Sequence, residues 1–169
     1  MKKAITLAAI AATAGLAHAD TLTIDVSGIE SWEFQGDALN TILNVMVGAS
    51  ASITNIAWDV NLTTFGISWA QENTMGFNGS EEVFAGAGLA EVVTNVNFAG
   101  SQASGLVMDA SGMLSIEFYE TEWNDNPAAV DSMFEAGSSI TLTGTGFVPT
   151  PGSLAVLGLG GLAAARRRR

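Results

Sequence analysis

No cysteine occurs anywhere in the chain. Disulfides, thiolate metal centres, cysteine nucleophiles and lipid attachment to a thiol are therefore excluded. Basic residues are confined to the chain ends: Lys2, Lys3, Arg166, Arg167, Arg168 and Arg169, with the single histidine, His18, near the start. Between Asp20 and Val148 lie all 17 acidic residues and no Lys, Arg or His, so this stretch carries a formal charge of −17. A body of that kind makes no internal salt bridge. It cannot neutralise phosphates, which excludes nucleic acid as a partner. It lacks the base of a Ser-His-Asp triad and the imidazoles of a zinc site. What remains is oxygen chemistry: carboxylates, amides and hydroxyls. The excess acid keeps the body soluble and repels like molecules at low salt. Its length is enough for a self-supporting core.

The first 19 residues read as a secretory signal. Lys2 and Lys3 form a positive start, and Ala4 to Ala17 is an apolar run too short for a comfortable membrane span. Ala17-His18-Ala19 then supplies a small-x-small pattern for a cut before Asp20. The alternatives are a retained anchor or a buried helix. The order of charge, apolar run and cleavage pattern favours the cleaved signal. Sec-type export machinery and signal peptidase are the partners this implies.

The last residues form a second address. Val148-Pro149-Thr150-Pro151-Gly152 is a helix-breaking hinge. Leu154 to Ala165 is an apolar, Gly/Ala/Leu-rich run, and Arg166, Arg167, Arg168 and Arg169 close the chain. As a helix that run is roughly 18 Å long against roughly 30 Å of hydrocarbon. It makes a short transmembrane helix only with help from snorkelling arginines, which stay on the cytoplasmic side. This arrangement resembles the PEP-CTERM sorting signal of Gram-negative bacteria, which joins a Val-Pro-Glu-Pro-like motif, a short hydrophobic helix and an arginine cluster. Thr150 stands where that family usually has Glu. The resemblance covers only the C-terminal segment, residues 148–169, and carries no information about the fold before it. It implies processing near the proline motif by an exosortase, a membrane-embedded transpeptidase-like enzyme. It also implies a setting of exopolysaccharide production and surface assembly. An ordinary tail anchor is the plainer alternative.

Residues 20–147 read as one all-β domain, an antiparallel β-sandwich or jelly roll. Leu22, Ile24 and Val26 alternate with Thr21, Thr23 and Asp25. Ile56, Trp58, Val60 and Leu62 alternate with Ala57, Asp59, Asn61 and Thr63, and Phe65, Ile67 and Trp69 extend the pattern. Val92 to Phe98, Leu114 to Phe118 and Ile140 to Leu142 repeat this period of two. Thr41 to Val47 is more continuously apolar and reads as a buried strand. Asn78-Gly79 is a hairpin signal. These runs predict about eight strands without internal proline. A short helix is expected after Asn126, with Pro127 at its first position, Val130 and Phe134 on one face and Gly137 as its stop.

Three kinds of chemistry fit the remaining residues. The densest polar cluster contains Glu117, Glu120, Glu122, Asn124, Asp125, Asn126 and Asp131. Its oxygens suit Ca²⁺, with Glu120, Glu122, Asp125 and Asp131 as candidate ligands, although the spacing is not that of an EF-hand. A solvated acidic loop is the plainer reading. Trp32 and Trp123, flanked by acids, are candidate sugar-stacking residues, whereas Trp58 and Trp69 share parity with core positions. Two carboxylates can also serve a glycosidase, but no particular pair is singled out. The expectation is therefore a non-enzymatic protein without a required cofactor. It is exported, held transiently in the cytoplasmic membrane and left at the surface or in the extracellular matrix. Sugar binding and calcium stiffening are its alternatives.

Overall fold

Alternation of apolar and polar side chains produces two antiparallel sheets packed face to face. The computed structural model describes residues 20–121 and 129–148. Among the described residues the strands are β1 (Asp20–Asp25), β2 (Glu30–Ser31), β3 (Thr41–Met46), β4 (Ser52–Thr64), β5 (Asn73–Phe77), β6 (Glu81–Phe84), β7 (Val96–Ala103), β8 (Met113–Glu120), β9 (Ser132–Phe134) and β10 (Ser139–Thr145). A 3₁₀ turn, Ala70–Glu72, precedes β5. No described helix is long and apolar enough to cross a membrane.

The first sheet is organised around β4. One edge of β4 pairs with β10 and then β9, because Ser52–Asp59 faces β10 and Leu62–Thr64 faces β9. The other edge pairs with β7, from Asn55↔Ala103 to Leu62↔Val96. Outside these, β1 pairs with β10 and β2 with β9. The register shifts between Thr143 and Gly144, opposite Asn55 and Ile53, so Thr54 is an extra residue on β4. That bulge turns both Ile53 and Ile56 into the core. The second sheet runs β3-β8-β5-β6. Its β5–β6 hairpin turns at Asn78 and Gly79, both with positive φ, as the sequence predicts.

The core lies between the sheets. Ile24, Ile56, Val60, Leu62, Phe134, Ile140 and Leu142 come from one sheet, and Met75, Phe77, Val83, Leu114, Ile116 and Phe118 from the other. Phe118 and Phe134 meet edge-on across the gap, with ring centroids 5.2 Å apart. Such a pair adds about 1 kcal/mol to the burial of its area.

Four expectations are corrected. Phe65, Ile67 and Trp69 do not extend β4. They lie on an exposed loop in which the Phe65 N–H donates to the Asp131 carbonyl and the Ser68 N–H to the Phe65 carbonyl, while Ser68 is the buried residue between them. Residues 92–95 precede β7 rather than belonging to it, and Asn95 has positive φ. β3 is an edge strand, not a fully buried one, and it exposes Ile42 and Met46. The expected helix is absent from its described part, where Ser132–Phe134 forms β9. Phe134 gains its burial from pairing with Leu62 and packing on Phe118, contacts a local helix would not provide.

The two ends of the sandwich meet at one pole. Asp20 pairs with Gly144, and the Phe147 N–H donates to Asp20 Oδ2 at 3.1 Å. The Val148 N–H donates to the Val47 carbonyl at 2.7 Å. The opposite, far pole holds the end of β4 and the buried polar cluster described next.

Candidate functional site

On β8 the inward residues Leu114, Ile116 and Phe118 are followed, at the same parity, by Glu120. On β5 the inward residues Phe77 and Met75 are preceded by Asn73. Asn73 and Glu120 are directly opposed in the ladder. Facing them from the other sheet is the opposed pair Ser31 and Ser132. The apolar interior therefore ends at the far pole in a four-residue polar plug.

The plug is tightly bonded on one side. Glu120 Oε1 accepts from Ser31 Oγ at 3.0 Å, from Ser132 Oγ at 3.2 Å and from Asn73 Nδ2 at 3.4 Å. Asn73 Nδ2 also donates to Ser132 Oγ. Glu120 is 3% exposed and Asn73 0%. Glu120 Oε2 and Asn73 Oδ1 are buried with no hydrogen-bond partner. Two further acids are buried nearby. Asp131 precedes Ser132 and is 2% exposed; its N–H donates to the Ser31 carbonyl. Glu72, in the 3₁₀ turn, accepts from the Trp69 N–H at 2.7 Å. Burial raises the Glu120 acid to about 8; the carboxylates of Asp131 and Glu72 push the same way, against the stabilising hydroxyls of Ser31 and Ser132.

Of the calcium candidates, Glu120 and Asp131 thus lie in the protein interior rather than on a solvated loop, while Glu122 and Asp125 lie outside the described residues. Among the described residues no group of three His, Cys, Asp or Glu side chains is arranged to hold a metal. The parity of β8 was the signal that places Glu120 inside. Ser31 and Ser132 carried none, since β2 and β9 are too short to show a period.

Of the sugar candidates, Trp32 is half-buried and Trp123 lies outside the described residues. Trp58 packs against the core, with its ring across Gly100 of the neighbouring strand. Trp69, expected inside, is 41% exposed, near the exposed Phe65 and Ile67. A shallow cavity of about 260 Å³ is lined by Gln71, Phe84, Ala87, Gly88 and Thr121. Of the residues assigned to the two ends, Asp20 opens β1 and Val148 is bonded to Val47. Ala17, Ala19, Pro149, Thr150, Pro151, Gly152 and Arg166, Arg167, Arg168 and Arg169 lie outside the described residues.

No family model and no curated protein matches the chain. Among solved structures, a family two carbohydrate esterase from Cellvibrio japonicus is similar at 19% identity with a TM-score of 0.26. The match covers 79% of this chain and 36% of the esterase, so this chain spans about a third of that protein's length. A likeness of that degree bears on neither activity nor substrate.

Proposed function

We propose that this chain is an exported, non-enzymatic surface or matrix protein, an acidic β-sandwich delivered by address segments at its two ends. Signal peptidase cuts before Asp20, and an exosortase-like membrane enzyme processes the C-terminal segment at Pro149 to Gly152. The observation that carries this reading is the joining of both ends at one pole. Asp20 is the first ladder residue of β1 and pairs with Gly144, so a cut before it leaves β1 whole. Chain after Val148 leaves from the same pole, so processing there spares both sheets. Such a body can be threaded out, held at one pole and released without unfolding.

Intact mass and fractionation of the native protein, with and without the exosortase of its host, test the proposal. The expected product begins at Asp20, lacks the arginine cluster and is found at the surface or in the medium. Full-length tail retained in the membrane in both strains overturns it. Deleting Arg166 to Arg169 is expected to abolish normal sorting.

A second reading is neutral-glycan binding, favoured by the Phe84 cavity. Phe84 is 39% exposed and offers a stacking face, while Gln71 and Thr121 supply an amide and a hydroxyl beside it. A body without cations disfavours anionic polymers. Retardation in polysaccharide-containing gels, lost in Phe84→Ala, is the expected result. Free migration in every polysaccharide tried removes this reading.

A further inference from the structure

We propose that β3 is an interaction edge, and that its occupant is β3 of a second copy of this chain, paired antiparallel about Asn44. The backbone directions come first. The Val47 N–H donates to the Gly112 carbonyl at 2.9 Å, one step beyond the Met46↔Met113 pair. Backbone groups along an antiparallel strand turn to alternate sides, so those of Thr41, Leu43 and Val45 also turn to β8. On β8 the Ser115 carbonyl accepts from the Asn78 N–H beside β5. That leaves Leu114, Ile116 and Phe118 turned to β3, opposite Val45, Leu43 and Thr41. The N–H and C=O groups of Ile42, Asn44 and Met46 therefore point out of the sheet edge, and among the described residues no strand takes them.

Open edges are ordinarily guarded by charge, shortness or a covering element. Here β1 carries Asp20 and Asp25, β6 carries Glu81 and Glu82, and β2 is short and carries Glu30. β7 is uncharged, but its exposed Asn97, Ala99, Ser101 and Ala103 are small or polar. Its end is tied to β6, where Gln102 Nε2 donates to the Glu82 carbonyl at 3.0 Å and the Gly105 N–H to Glu81 Oε1 at 2.8 Å. β3 has none of these guards. It lies within residues 38–58, which contain no charged side chain. It half-exposes Ile42 and Met46, with Met113 of β8 beside Met46. A cationic partner is met by acids, which this edge lacks. Two bodies of charge −17 approach most closely where neither presents an acid. The strand is also complementary to itself. With Asn44 opposite Asn44, Ile42 of each copy lies opposite Met46 of the other on the same solvent face, and the outward groups of all three residues meet as hydrogen-bonded pairs. Glu117, opposite Ile42 on β8, is held by the Gly36 N–H and Asn40 Nδ2. In the pair, the two Glu117 strands are three spacings apart, about 14 Å, beyond the Debye length of about 8 Å at 0.15 M salt. This inference is independent of how the protein is exported.

Sedimentation equilibrium of the protein as its host exports it tests the pairing. A monomer–dimer equilibrium that stops at two chains is expected. Its Kd should fall about tenfold or more from 0.01 to 0.15 M KCl, as repulsion is screened. Asn44→Asp sets two carboxylates face to face at the twofold centre and is expected to raise Kd at least about fivefold. Ser101→Asp adds the same charge on β7 and is expected to leave the dimer intact. Amide exchange is the second readout, and it decides alone if Asn44→Asp fails to fold. The N–H groups of Ile42, Asn44 and Met46 are expected to exchange more slowly as protein concentration rises, while those of Ala99 and Ser101 do not change. A chain that is monomeric at every salt concentration, growth past two chains, equal weakening by both variants, or exchange at the three amides that ignores concentration each overturns the proposal. Protection of the same amides only by a different protein assigns the edge to another partner and also overturns it.

Discussion

Glu120 sits where a strand's inward parity outlasts its apolar residues, and its acidity follows from that position. Its pKa is about 8 in the folded protein against an ordinary 4.5. Burial, helped by Asp131 and Glu72, favours the protonated form, while Ser31 and Ser132 resist. A raised acid keeps its proton on folding, so the unfolded chain ionises first as pH rises. The contribution of Glu120 is fully present below about pH 4.5 and is lost as pH climbs to about 8. The stability advantage of Glu120→Gln over wild type is therefore expected to grow across that window. Its slope should approach 1.4 kcal/mol per pH unit, roughly one proton. Urea unfolding of both proteins at several pH values measures this, and a pH-independent difference contradicts it. Gly144 supports a second prediction at this scale. It lies where β10 changes register, and a Cβ there would overlap the Ser52 carbonyl oxygen. Because the obstacle is backbone, Gly144→Ala is expected to cost about 2–4 kcal/mol in chemical unfolding.

Edge strand β3 allows the alternation itself to be tested. Ile42 is exposed and lies opposite Glu117, whose carboxylate accepts from the Gly36 N–H at 2.6 Å and from Asn40 Nδ2 at 2.9 Å. Leu43, one residue on, packs against the core. Ile42→Lys is expected to change stability by less than about 0.5 kcal/mol and to charge an otherwise open sheet edge. Leu43→Lys is expected to cost about 3 kcal/mol or more, because it turns an ammonium towards a dry interior. Equal effects in thermal melts contradict the register. The same alternation made β1, β4, β8 and β10 legible in the sequence, since each is long enough to show a period and each buries one face. It misled at Phe65, Ile67 and Trp69, where apolar alternation continues past the last ladder partner of β4. It was silent for β2 and β9, whose two and three residues are strands only through distant partners. The Val130 and Phe134 spacing suited a helix as well as a strand, and pairing with Leu62 decided between them. For the polar plug, Glu120 was readable from parity, but its meeting with Asn73 on the neighbouring strand and with Ser31 and Ser132 across the core is a tertiary fact.

Across the whole molecule, the decisive property is a charge of one sign with nothing set against it. In most proteins added salt weakens attractive pairs and repulsive pairs together, and the two effects partly cancel. Residues 20–148 contain no side-chain cation, so screening has only repulsions to weaken. Folding brings 17 acids into a smaller volume than the unfolded chain occupies, and the resulting self-repulsion opposes the compact state. The Debye length falls from about 30 Å at 0.01 M salt to about 8 Å at 0.15 M, so most of this repulsion is removed within that range. Tm is therefore expected to rise by several degrees between those two KCl concentrations and then to level off. Glu120→Gln provides the internal control. The acid it removes lies in the interior, where mobile ions screen poorly, so the variant should show the same salt dependence as wild type. A melting temperature that is flat or falling with KCl would mean that surface repulsion is not what limits this sandwich.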